Sequence, residues 1–195
     1  MVTLIGMGSG KWEALSAQAQ QAVRSAGLVF GAKRLLAGLP ADSMARQFAL
    51  YQPADILETL AQNPGQDAVV LYSGDTGFYS GASGLLTPLR ALGIPARVYP
   101  GVSSIQLLSA ALGRPWQDWK LVSAHGCACD PVAECMMNRS VFFLTGGTET
   151  PASLCQKLTD AGMGEAHGVV GENLGTEAEA IRYGSAAELA GQSFA

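Results

Sequence analysis

Two rhythms of hydrophobic residues alternate along this chain. Short β-branched runs predict strands at 2–7, 28–30, 68–72 and 96–99. Between them, apolar residues recur at helical spacing. Leu15, Ala19, Ala22, Val23 and Ala26 share one face of a helix expected over 13–26, which Gly27 stops. Further helices are expected over 55–61, 81–92 and 103–112, with Pro88 kinking the second of these or marking its start. After Gly113-Arg114-Pro115 the pattern restarts. Strands are expected at 120–123, 141–144, 169–170 and 180–183, and a helix at 151–161 with proline in its first turn. Alternating strands and helices predict an α/β fold with largely parallel pairing. Continuous apolar strands such as 68–71 fit a sheet covered on both faces. Two small α/β domains are expected, 1–113 and 114–195.

Composition narrows the class. The chain has 195 residues, 48% hydrophobic and 14% charged, enough for a proper core and too apolar for disorder. Its 24 glycines follow no fixed period, which excludes collagen-like sequence. The net charge is −4 and no basic stretch stands out, so no nucleic-acid partner is expected. No apolar run approaches the roughly 20 residues that span a bilayer. The first six residues lack the basic start of a signal peptide. No membrane segment and a cytoplasmic location are therefore expected. Four cysteines (Cys127, Cys129, Cys135 and Cys155) fit that compartment as reduced thiols.

Candidate chemistry gathers in three loops that follow strands, where open α/β sheets bind ligands. The first, Gly6-Met7-Gly8-Ser9-Gly10-Lys11, fails two phosphate templates. The dinucleotide fingerprint needs glycine where Lys11 stands and an acid after the next strand, where Gly31 stands. The P-loop needs glycine at Ile5 and Ser or Thr at Trp12. What remains is a turn whose backbone can approach something closely. The second loop, 72–79, carries Asp75 beside Gly74. Asp75 either receives donors from a ligand or closes a turn on its own backbone. The third loop, 99–104, carries Ser103 and Ser104, which either cap the following helix or hold a ligand carboxylate at its N-terminus.

Nothing in the chain forms a recognisable catalytic triad. No Gly-x-Ser-x-Gly elbow occurs, and His125 and His167 are the only histidines. His125, Cys127, Cys129 and Cys135 lack the second closely spaced pair typical of structural zinc sites, so no metal is expected.

Three loops in this order and spacing resemble the tetrapyrrole methylase family. Other stretches carry the resemblance further: Gly31-Ala32-Lys33-Arg34-Leu35-Leu36, Pro100-Gly101-Val102-Ser103-Ser104-Ile105-Gln106, Trp116-Gln117-Asp118, Ser123-Ala124-His125-Gly126 and Glu172-Asn173-Leu174-Gly175. They cover nearly the whole chain and point to the branch that methylates C5 of a corrin precursor in cobalamin synthesis. The resemblance implies two α/β domains with S-adenosylmethionine (SAM) in the cleft between them, a homodimer and a corrinoid tetrapyrrole substrate. By motif match, the cofactor contacts are Ser9, Ser73, Asp75, Phe78, Ser103, Ser104, Leu144 and Leu174. Lys11, Lys33, Arg34 and Arg114 near the loops are candidates for the substrate's carboxylates, since the protein as a whole is acidic. Two positions depart from the family pattern: Thr76 and Ser9 stand where proline is common. Related proteins fuse a C15-methylating, decarboxylating activity at the C-terminus. With the chain ending at Ala195, a separate C15 enzyme is the expected partner.

The resemblance implies that the substrate's own enamine-like ring carbon attacks the methyl group. Positioning then supplies the catalysis, and no enzyme nucleophile is needed. Rival readings are methylation of another ring position or another substrate, a non-catalytic nucleotide-binding module, and a nicotinamide-dependent oxidoreductase.

Overall fold

A β-strand presents successive side chains to opposite faces, and the first unit of this chain uses both. The computed structural model describes residues 1–194 and divides into two units, Met1–Ser103 and Ser104–Ala195. The first runs β1 (Val2–Gly6), a 3-10 turn at Trp12–Ala14, α1 (Ala17–Ser25), β2 (Leu28–Phe30), α2 (Lys33–Leu36), β3 (Arg46–Phe48), α3 (Pro53–Gln62), β4 (Ala68–Tyr72), α4 (Ala82–Ala91) and β5 (Ala96–Tyr99). Its five strands form one parallel sheet in the order β3-β2-β4-β1-β5.

One face buries Ile5, Val29, Val69 and Leu71 against Ala19 and Val23 of α1 and Leu35 of α2. The other buries Leu4, Leu28, Phe30 and Val70 against Ile56 of α3 and Leu85 and Leu89 of α4. Each such side chain removed from water contributes roughly 1.5–3 kcal/mol, and together they hold the strand ends in register.

Local chemistry trims the expected elements. The helix expected over 13–26 starts later because Ser16 caps it, accepting the Ala19 amide at 3.2 Å. Pro88 sits inside α4 and not at its start. The pattern did not announce β3, a short edge strand whose Arg46 and Gln47 are exposed.

The second unit runs α5 (Ser104–Leu112), β6 (Lys120–His125), α6 (Pro131–Met137), β7 (Val141–Gly146), α7 (Pro151–Leu158), β8 (His167–Glu172), β9 (Ala180–Ser185) and α8 (Ala186–Ala190). Helix α5 packs on β7, so the break between units falls before this helix, whereas the expected one fell after it at Gly113. Strands β6 and β7 pair in parallel, as expected. Strands β8 and β9 pair antiparallel. The stretch between them is too short for the crossover that parallel pairing requires. Thr150 and Ser153 cap α7 reciprocally. It ends before 161 in a π-type turn where Gly162 takes φ 81°.

Candidate functional site

Strand β1 lies between β4 and β5, so the loops leaving these three strands emerge side by side. Their backbones meet without side chains between them. A Cβ on Gly6 would lie 2.6 Å from the Gly101 nitrogen and 2.7 Å from the Gly74 oxygen. A Cβ on Gly101 would lie 2.2 Å from the Gly74 oxygen. Gly8 and Gly74 exchange two hydrogen bonds: the Gly8 amide donates to Gly74 O at 3.0 Å, and the Gly74 amide donates to Gly8 O at 2.9 Å. Both residues have positive φ, 58° and 65°, a region glycine enters without penalty. The close partner of the first loop's backbone is thus the backbone of the other two loops.

Polar side chains line this junction. Asp75 does close a turn on its own backbone: Oδ2 accepts the Gly77 amide at 3.0 Å. Its other oxygen accepts the Gly101 amide at 3.1 Å and ties the second loop to the third. An ionised carboxylate has about four lone-pair sites, so Asp75 keeps acceptor capacity beyond these two bonds. Thr76, standing where the family often has proline, donates from its hydroxyl to Tyr99 O at 3.5 Å. Arg34, from α2, donates to the Ser73 hydroxyl. Its guanidinium therefore already braces the second loop, a role its expected part in substrate binding did not foresee. Ser103 is buried and Phe78 packs edge-on to Tyr79 with ring centroids 4.8 Å apart. Ser9 lies in the first loop, half-buried. Lys11 and Lys33 are exposed near the loops.

The remaining candidates belong to the second unit. Ser104 begins α5. Arg114 is exposed and closes the end of that helix, its carbonyl accepting the Ser109 hydroxyl at 2.6 Å. Leu144 lies on β7 opposite Ser123. Leu174 follows β8, where its methyls would lie 3.0 Å from a Cβ on Gly171. Burial raises the thiols of Cys129, Cys135 and Cys155, which makes them poor thiolate ligands or nucleophiles. No group of three His, Cys, Asp or Glu residues suited to a metal occurs among the described residues.

These loops fit an adenosyl ligand in the kind of atom they offer. A glycine junction gives close backbone approach, and Ser73, Asp75 and Ser103 supply acceptors for hydroxyl and amino donors. A parallel open sheet with such loops at the carboxyl ends of its strands is the layout in which α/β proteins bind ligands.

Residues 1–190 match the Tetrapyrrole (Corrin/Porphyrin) Methylases, and the chain belongs to this family. The cobalt-precorrin-7 C(5)-methyltransferase of Salmonella typhimurium is 33% identical over 185 residues, covering 94% of this chain and 90% of that protein. Among solved structures, a cobalt precorrin-4 methyltransferase superposes with TM-score 0.77 at 18% identity, over 96% of this chain and 86% of that one. A Thermus thermophilus uroporphyrin-III C-methyltransferase complexed with S-adenosylhomocysteine (SAH) gives 0.74 at 22% identity, over 97% and 85%. The two structures share the fold with this chain.

Proposed function

We propose that this protein is a SAM-dependent methyltransferase that methylates C5 of cobalt-precorrin-7 in cobalamin biosynthesis. The observation that carries the reading is the 33% identity to the Salmonella enzyme, which extends over 94% of the chain. Bound SAM supplies an electrophilic methyl group. In the first unit, Ser9, Ser73, Asp75, Phe78 and Ser103 contact it. In the second, Ser104, Leu144 and Leu174 do so.

The residues do the rest by placement. Glycine-to-glycine packing holds the loops still, and Asp75 locks two of them together. Holding a reactive carbon and a methyl group in line can supply several kcal/mol. Lys11, Lys33, Arg34 and Arg114 are the local cations that offset a net charge of −4 when the carboxylate-rich substrate binds. Among the described residues, no helix is long and apolar enough to cross a membrane. The protein works in the cytosol as a homodimer.

Isothermal titration with SAM, SAH and NADH tests the class. Saturable binding of the two adenosyl ligands and none of NADH is the expected result. Binding of NADH alone would move the protein to the oxidoreductases. Methyl transfer to cobalt-precorrin-7, with the product mapped by NMR, then tests the position.

A further inference from the structure

We propose that His125 is the proton acceptor of the methyl-transfer reaction, poised by its own backbone surroundings with Nε2 as the basic nitrogen. The inference rests on the C5-methyltransferase reading. Exchange of a ring hydrogen for the methyl of a sulfonium has a fixed balance. The ring carbon's electron pair forms the new C–C bond, and the S–CH3 pair stays on sulfur as a thioether. The hydrogen then leaves that carbon as a proton, and its bonding pair restores ring conjugation. One proton per turnover must therefore go to some base.

The geometry singles out one side chain. His125 ends β6 and is exposed. Its Nδ1 lies 3.2 Å from the carbonyl oxygen of Thr145 on β7. A carbonyl only accepts, so Nδ1 carries the hydrogen, and a neutral ring then has its lone pair on Nε2. The ring also lies over Gly146: a Cβ there would sit 2.0 Å from Nδ1 and 2.5 Å from Cε1. Only glycine at 146 leaves the imidazole this place. The Gly126 amide donates to Gly146 O at 3.4 Å and closes the two strand ends around it.

The position suits the task. Leu144, assigned above to the methyl donor, pairs with Ser123, two residues before His125 on the same strand. The other histidine serves elsewhere: His167 begins β8 and acts electrostatically on Glu188, which caps α8. The cysteines compete poorly as bases. Burial raises Cys129, Cys135 and Cys155, and the Cys127 thiol is turned onto Ser123 O at 3.2 Å.

Two measurements decide it. In single-turnover methylation of cobalt-precorrin-7, H125A is expected to lose about 10²-fold in rate, the low end for a general base. Its KM and SAH affinity should stay within about twofold of wild type, and added imidazole should restore part of the rate. Nitrogen-15 NMR of the substrate-free wild type should show the Nδ1–H tautomer, lost in G146A. Full activity in H125A overturns the proposal, as does an Nε2–H tautomer in the wild type. A loss of rate that imidazole does not rescue and that tracks a loss of SAH affinity marks a structural role and overturns it too. A wild type that binds SAH yet leaves the corrinoid unmethylated overturns the substrate reading and this proposal together. Equal turnover by wild type and H125A overturns this proposal alone.

Discussion

The two units of this chain are held by different means. In the first, one parallel sheet is buried on both faces, and its loops meet backbone to backbone at Gly6, Gly74 and Gly101. In the second, two separate strand pairs bury fewer apolar side chains, among them Val122, Ala124, Phe142 and Val170, and polar groups join the elements around them: Glu172 with Arg182, Glu149 with Lys157, His125 with Thr145 O. A backbone junction cannot relax around an added atom, because main chain on both sides is fixed by strand pairing. A side-chain junction can rotate, hydrate or exchange partners. The first arrangement suits a binding surface that must keep its shape. The second suits groups that must take up charge or protons.

The sharpest way to break this contrast is to add one methyl group to the glycine junction. Gly101→Ala forces a Cβ against Gly74 O and Gly6 O, and should destabilise the fold by about 3 kcal/mol. Urea denaturation reads the loss, and SAH titration should show binding abolished. A variant with wild-type stability would mean that the loops move apart freely and that the contrast is false.

Next in size is Asp75→Asn. The amide keeps one acceptor but turns an NH2 towards a backbone N–H, so one of the bonds to Gly77 or Gly101 is lost. SAH affinity should fall about tenfold, while unfolding free energy drops by about 1 kcal/mol. Calorimetric titration separates the two effects. Unchanged affinity would remove Asp75 from the binding surface.

Arg182→Ala probes the second unit. Glu172 is 7% exposed and pairs with Arg182 at 2.5 Å, but the arginine is half exposed, so solvent screens the pair. A cost of about 1 kcal/mol is expected by chemical denaturation. A cost as large as that at Gly101 would show the side-chain unit to be equally unforgiving.

The smallest effect concerns acid. The Lys157 ammonium, 2.6 Å from Glu149, holds that carboxyl below its usual range, with the Ser153 hydroxyl assisting. A depressed folded-state pKa adds stability above the unfolded-state value, roughly 4.3, and that stability fades as pH falls through the folded-state value. Melting temperature followed from pH 6 down to 3 should therefore fall more steeply in wild type than in Glu149→Gln. Parallel curves would show that the pair contributes nothing.

Much of the fold was legible along the chain. Strands β1, β2 and β4 read directly, because burial on both faces favours nearly unbroken apolar runs, and β5 was read too although its Ala96, Arg97 and Val98 are exposed. Polar β3 and the short α6 and α8 did not read, since a few residues carry no periodicity. The antiparallel β8–β9 pair was missed because strand direction depends on the connection and not on the strand. At the site, the three loops and their acid were visible. That Asp75 bonds Gly101, that Arg34 braces Ser73 and that Thr76 reaches Tyr99 was not.

Residue order by itself determined the local units, from strand to loop to capped helix, and with the family motifs it determined the kind of chemistry to expect. Those depend on spacing, propensity and turn chemistry within a few residues. Only the tertiary structure decided which loops touch, why glycine is required where they do, and which nitrogen of His125 is left basic. Each of these depends on atoms 20 or more positions apart in the chain, such as His125 and Thr145, brought together when strands pair. No local pattern encodes such a distance, because it exists only once the sheet has formed.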